Sequence, residues 1–230
     1  MSYKKEFIEF MVRAGVLTFG DFTTKSGRKT PYFVNTGNYK TGAQADKLGY
    51  FYASCIIENM AKGMISENIA SLFGPAYKGI PISVATAIAM SREFDRDINY
   101  CFNRKEEKDH GEGGKMVGYK LQDGDFVLMV EDVITAGTAV RETLPQLMAA
   151  AKVKVEGLII SVDRMERGQG HKTAIQEIEE EFGIKTYPLV TVREIIDTLY
   201  NKEVDGKILI DDSVKERMEE YLERYCVQQQ

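Results

Sequence analysis

The chain has 230 residues, 43% of them hydrophobic and 28% charged, with a formal net charge of −5. That length suits one sizeable core. The lack of any apolar run of ~18 residues argues against a membrane-spanning helix, and the acidic balance argues against a general nucleic-acid-binding surface.

In chain order, Tyr3–Arg13 reads as a helix with Phe7, Phe10 and Met11 on one face. Glu6 and Glu9 interrupt any apolar stretch there, so no secretory signal is expected. Residues 16–35 place Gly20, Gly27 and Pro31 among β-formers and read as short strands with turns, a hairpin. Residues 43–61 are helical, with Leu48, Phe51, Tyr52, Cys55 and Ile56 at helical spacing. Short apolar strands and helices then follow: strand 69–73, helix 80–91, strands 98–102 and 126–130, helix 138–151, strand 156–162, helix 172–182, strand 185–190 and helix 192–200. Such alternation predicts an α/β fold with a central parallel sheet flanked by helices on both faces. Ligands bind such sheets beyond the carboxyl ends of the strands.

Some stretches stand outside this plan. The first 40 or so residues look like an added cap. Residues 103–115 contain no apolar side chain and read as a solvated loop that cannot form core structure. Residues 201–230 carry no usable motif, and the terminal Gln228, Gln229 and Gln230 are expected to fray. Cys55, Cys101 and Cys226 are scattered without C-x-x-C or zinc spacing, so free thiols in a reducing cytoplasm are expected.

The chemistry is concentrated after strand 126–130. Residues 127–138 read VLMVEDVITAGT: an apolar strand, the carboxylates Glu131 and Asp132, then Val133 and Ile134, then Thr135, Ala136, Gly137 and Thr138 leading into a helix. Small residues and a glycine let backbone N–H groups curl around an oxyanion, and the helix N-terminus adds unpaired donors and a favourable dipole. The paired carboxylates suit ribose hydroxyls, or a metal. The plain alternative is a strand–loop–helix junction with Thr138 as an ordinary helix cap.

This run resembles the signature of the type I phosphoribosyltransferases: apolar residues, two acids, apolar residues, then T-x-G-T. The resemblance implies that family's fold, a central parallel sheet flanked by helices with a small N-terminal hood. Here that means one domain, 1–230, with about 1–40 as the hood. It also implies that Glu131 and Asp132 meet the ribose hydroxyls. Val133, Ile134, Thr135, Ala136, Gly137, Thr138 and Ala139 would then hold the 5′-phosphate.

Further segments resemble the orotate phosphoribosyltransferases within that family. In FTTKSGRKTPYFVN (22–35), the resemblance implies that Lys25 reaches 5-phosphoribosyl 1-diphosphate and that Phe33 and Val34 border the orotate pocket. A Phe-Phe pair is frequent at those two positions, so Val34 departs from the pattern. A flat aromatic base favours an aromatic wall; the alternative is a hairpin with Lys25 solvated and Phe33 in the core. In FGPAYKGI (73–80), Tyr77 and Lys78 would line the diphosphate region, or simply begin a helix with an exposed lysine. Residues 101–114, CFNRKEEKDHGEGG, match the family's mobile catalytic loop and carry Arg104, Lys105, Lys108 and His110. That match implies a homodimer in which loop 103–115 reaches the neighbouring site; otherwise it is a solvated charge run. Arg164 would bind the orotate carboxylate bidentately, with Thr135 as a second contact. The alternative for Arg164 is a pairing with Glu166.

The implied reaction needs no protein nucleophile. Diphosphate leaves an oxocarbenium-like sugar, so positioning and electrostatics dominate. Mg²⁺, held mainly by the substrate rather than by protein ligands, would steady the leaving group. Lys78, Arg104, Lys105, Lys108 and His110 would stabilise its charge. Lys108, His110, Arg104 and Asp132 are the expected catalytic set, and whether Lys108 or His110 passes a proton is open. An adenine or hypoxanthine enzyme is disfavoured by Arg164 and the 22–35 segment, and a nucleotide- or RNA-binding protein without catalysis by Lys108 and the acidic charge. A P-loop hydrolase fails for lack of G-x-x-x-x-G-K-[ST].

Overall fold

A computed structural model describes residues 3–24, 27–108, 114–134, 137–168 and 170–227, with the backbone alone at 107, 108 and 114. Five strands run parallel: β3 (Ile69–Gly74), β4 (Asn99–Lys108), β6 (Phe126–Val130), β7 (Lys154–Asp163) and β8 (Thr186–Thr191). The antiparallel β5 (Gly114–Gly118) closes one edge, and the sheet order is β5-β4-β3-β6-β7-β8. The crossovers are α3 (Gly79–Phe94), α4 (Thr138–Ala150) and α5 (Ala174–Phe182).

The strands are buried on both faces, and their side chains alternate between two cores, as period-2 geometry requires. Leu128 and Val130 face one core with α2 (Gly42–Ala61) and α3. Val127 and Met129 face the other with α4 and α5, against Val140, Leu144 and Ile178. From β3 the chain crosses to β4 on one side, and from β6 to β7 on the other. The sheet's topological switch point therefore lies between β3 and β6, where ligand crevices form.

The first core also receives α1 (Tyr3–Arg13), the hairpin of β1 (Leu17–Thr23) and β2 (Lys29–Val34), α6 (Val192–Leu199) and α7 (Asp212–Tyr225). The short hairpin β9 (Glu203–Val204) and β10 (Lys207–Ile208) joins α6 to α7. No helix among the described residues is long and apolar enough to cross a membrane.

The expectation for residues 103–115 needs correction. β4 continues to Lys108 and β5 begins at Gly114, with Asn103 opposite Met116 and Lys108 opposite Gly114. Polar side chains do not prevent a strand when an antiparallel partner satisfies the backbone. Asn103 is also only 3% exposed, because its amide is used: Oδ1 accepts from Ala76 N at 2.8 Å and Nδ2 donates to Gln146 Oε1 at 3.3 Å.

Helices α2 and α3 touch backbone to backbone at Gly49, where an added Cβ would collide with the Ala85 carbonyl. Gly49→Ala should lower the unfolding free energy by about 1–3 kcal/mol, read as a shifted denaturant midpoint at unchanged slope. An unshifted midpoint would show that the helices separate without cost.

Candidate active site

The carboxyl ends of β3, β4, β6 and β7 share one sheet edge, and most of the expected site residues lie along it. Directly after β6, the backbone of the acid pair is fixed from three sides. Tyr52 donates its hydroxyl to the Glu131 carbonyl at 2.7 Å. Ser161 donates to the Asp132 carbonyl through both Oγ at 2.6 Å and its backbone N–H at 2.8 Å. The Glu131 N–H is tied to Ile159 O at 2.9 Å.

Both side chains are buried, each 7% exposed, but they differ electrostatically. Burial pushes the Asp132 carboxyl up, and three hydrogen bonds together with a nearby positive charge more than reverse this. Lys78 Nζ donates to Oδ2 at 2.7 Å, Thr36 Oγ1 donates to the same oxygen at 2.6 Å, and Val133 N–H donates to Oδ1 at 2.7 Å, with the Lys78 charge adding to them. Asp132 is therefore held below the ordinary carboxylate range. Glu131 is raised above that range, first by burial and also by the Asp132 charge; the bond from Asp132 N–H to its Oε1, 3.0 Å, offsets only part. One acid is thus strongly ionised and its neighbour favours its proton.

The Lys78–Asp132 ion pair spans the switch point, since Lys78 follows β3 and Asp132 follows β6. Lys78 occupies the N-cap position of α3, as the plain reading had it, yet it is bound to the acid. A cleft of about 200 Å³ opens at the pair, lined by Lys78 and Asp132 together with Tyr39, Leu48, Tyr52 and Ile82 among others.

Beyond the acids, Val133 and Ile134 are half-buried. Gly137, not Thr138, is the N-cap of α4, and no side chain caps the helix there. Its φ of 68° favours glycine, and a Cβ would sit 2.9 Å from Ile178 Cδ1. Thr138 is exposed and Ala139 half-buried in the first helical turn, beside backbone N–H donors that α4 itself leaves unpaired. Thr135 and Ala136 lie outside the described residues.

On the β3–β4 side, Tyr77 is 67% exposed, and Lys105 Nζ stands 5.0 Å from its ring centroid. The Ala76–Tyr77 peptide is cis. Arg104 is half-buried on the same strand. The Lys108 side chain and His110 lie outside the described residues, as does Lys25.

On the hairpin, Phe33 is 37% exposed and stacks on Phe22, with ring centroids 5.6 Å apart. Val34 is half-buried against the main core. Arg164, just past β7, sits over the Tyr32 ring at 5.5 Å with Nη2 2.5 Å from Glu166 Oε1, so the pairing considered for it is present.

Sequence reasoning named Glu166, as a partner for Arg164, and missed Thr36, Asn103 and Tyr221. These three act across 96, 27 and 55 residues of sequence, which no local pattern encodes.

The phosphoribosyl transferase domain model matches residues 37–189. The chain is similar to the orotate phosphoribosyltransferase of Clostridium beijerinckii, 62% identical over 97% of this chain and 98% of that protein. It is also similar to the one from Lachnoclostridium phytofermentans, 58% identical over 98% of each. Among solved structures, the orotate phosphoribosyltransferase of Francisella tularensis superposes with a TM-score of 0.81 at 33% identity, covering 96% of this chain and 99% of that one.

The two acids have opposite linkage to pH. Glu131, with its folded pKa raised, contributes stability that is complete at acid pH and lost as pH rises beyond the ordinary carboxylate range. Asp132, with its folded pKa lowered, contributes stability present above that range and lost as pH falls through its depressed value. Glu131→Gln, which keeps the protonated shape, should therefore gain on wild type in melting temperature at about pH 8 relative to about pH 5. A difference that does not change with pH would mean Glu131 is ionised throughout.

Proposed function

The chain belongs to the orotate phosphoribosyltransferase family, and from that premise we propose a role for each residue of the site. The activity is transfer of ribose 5-phosphate from 5-phosphoribosyl 1-diphosphate to orotate, giving orotidine 5′-phosphate and diphosphate, a pentosyl transfer of pyrimidine biosynthesis. The observation that carries the residue roles is an ionised, buried Asp132 paired with Lys78 at the switch point.

In this reading Asp132 receives the ribose hydroxyls, and Lys78 exchanges its carboxylate partner for diphosphate oxygens. Glu131, favouring its proton, can donate to a sugar oxygen as well as accept. Residues 133–139 take the 5′-phosphate with the backbone donors at the start of α4. Lys25 reaches the phosphoribosyl donor, Phe33 offers its exposed ring to the base, and Arg164 meets the orotate carboxylate.

A ring nitrogen of orotate bonds to the anomeric carbon as the carbon–oxygen bond to diphosphate breaks; the electron pair of that bond leaves with diphosphate, on which the proton lost from the nitrogen ends. Tyr77, Lys78, Arg104, Lys105, Lys108 and His110 border this departure, and the cations among them stabilise the growing charge. Among the described residues no group of three or more His, Cys, Asp or Glu could hold a metal ion. Asp132 remains the carboxylate suited to steady a Mg²⁺ carried by the substrate's own oxygens. Such an ion supplies neutralisation of diphosphate charge when bound. Residues 1–40 serve as the hood over this edge. The chain works as a cytoplasmic homodimer, in which residues 103–115 of each subunit reach the other's site.

A spectrophotometric assay should show orotate consumed with 5-phosphoribosyl 1-diphosphate and Mg²⁺, with adenine, hypoxanthine and uracil inert. Chelation by EDTA should abolish turnover, and full activity in EDTA would remove the cation from the account. Lys108→Ala should cost about 3–5 kcal/mol of transition-state stabilisation, seen as a fall in kcat with little change in the KM for orotate. Unchanged turnover would show that the loop lysine is not catalytic.

A further inference from the structure

The C-terminal helix α7 builds the surroundings of Arg164. Arg164 Nη2 lies 2.5 Å from Glu166 Oε1, and the Tyr221 hydroxyl donates to that same oxygen at 2.7 Å. The Tyr221 ring meets Tyr32 edge-on, with centroids 5.9 Å apart, while Arg164 covers Tyr32 at 5.5 Å. The chain after α7 is stitched to the Arg164 loop: Arg167 N–H donates to Tyr225 O at 2.8 Å, Val227 N–H donates to Met165 O at 3.0 Å, and the Cys226 thiol donates to Arg164 O at 3.5 Å. Arg28 fastens the β1–β2 hairpin to the same loop through Arg167 O at 3.2 Å and Gly168 O at 3.4 Å, with its guanidinium over Tyr225.

Within this cage the Tyr32 hydroxyl and two nitrogens of Arg164, Nε and Nη2, are buried without an aligned partner among the described residues. Glu166 therefore compensates the arginine's charge at close range, with Oε1 2.5 Å from Nη2 but off the line of its N–H bonds. Nε and Nη2 together form the side fork that a carboxylate fills with two parallel hydrogen bonds. Buried donors left unmet call for a partner.

We propose that Tyr221, acting through Glu166, is a positioning residue that keeps the Arg164 fork open for a carboxylate-bearing base, so that α7 takes part in selecting orotate. This inference rests on the reading that Arg164 meets the orotate carboxylate. The Tyr221 hydroxyl holds Oε1 out of line with the guanidinium. Without that hydroxyl, Oε1 is free to turn into alignment and occupy the donors the substrate needs. The loss falls only on ligands that carry the carboxylate.

The test compares orotidine 5′-phosphate with uridine 5′-phosphate, which lacks the carboxylate, by calorimetric binding to the full chain. Tyr221→Phe should weaken orotidine 5′-phosphate about three- to tenfold and leave uridine 5′-phosphate unchanged, which also reports that the site is folded. In the steady state the KM for orotate should rise by a similar factor, with kcat and the KM for 5-phosphoribosyl 1-diphosphate held. In a Glu166→Gln background the same substitution should have no further effect, because its route runs through that carboxylate. Equal weakening of both nucleotides, no weakening of either, or an undiminished effect in Glu166→Gln overturns the proposal. Arg164→Ala separates the two layers. If it selectively weakens orotidine 5′-phosphate while Tyr221→Phe does not, the positioning role alone is lost. If it spares orotidine 5′-phosphate, the carboxylate reading itself fails.

Discussion

One carboxylate oxygen, Asp132 Oδ2, receives the Lys78 ammonium at 2.7 Å and the Thr36 hydroxyl at 2.6 Å. Three parts of the chain meet there: the segment after the β1–β2 hairpin, the turn after β3 and the turn after β6. A buried carboxylate is costly unless it is paired and hydrogen-bonded. The fold therefore has to bring those partners together, and doing so assembles the crevice. Tyr52 and Ser161 fix the backbone beneath it, so the carboxylate has little freedom to move.

The contrast between the two acids follows from this pairing. Lys78 and Thr36 both bond to Asp132, so its charge is compensated, while Glu131 faces burial and a charged neighbour. Two adjacent carboxyls thereby acquire different protonation preferences, and so different hydrogen-bonding roles. The helix that follows begins at Gly137 without a side-chain cap. In the proposed reading, the carboxylate for the ribose and the donors for its phosphate follow each other within a few residues along one strand–turn–helix unit.

The parallel sheet was legible because its strands are short, apolar and separated by helices. The acids after β6 and the glycine at the start of α4 were legible because they stand in one local run of the chain. Residues 103–108 misled in part: a row of polar side chains reads as solvated coil, but strand formation there depends on pairing with β5, which hydropathy does not report. Asn103 looks like one more polar residue of that run until the Ala76 N–H is seen bound to it. Thr36 has no signal at all, since its partner is 96 residues away. The C-terminal helix carries no motif because what it contributes is a hydroxyl directed at Glu166 and a surface packed on Tyr32.

The central claim is that Asp132 is the ribose carboxylate and that Lys78 yields it on binding. A crystal structure of the chain soaked with 5-phosphoribosyl 1-diphosphate tests this directly. The account predicts ribose hydroxyl oxygens within hydrogen-bond reach of Asp132, the 5′-phosphate against the backbone at Gly137 and Thr138, and Lys78 Nζ moved from Oδ2 to diphosphate oxygens. A ligand bound elsewhere, with the Lys78–Asp132 pair still closed, would contradict it.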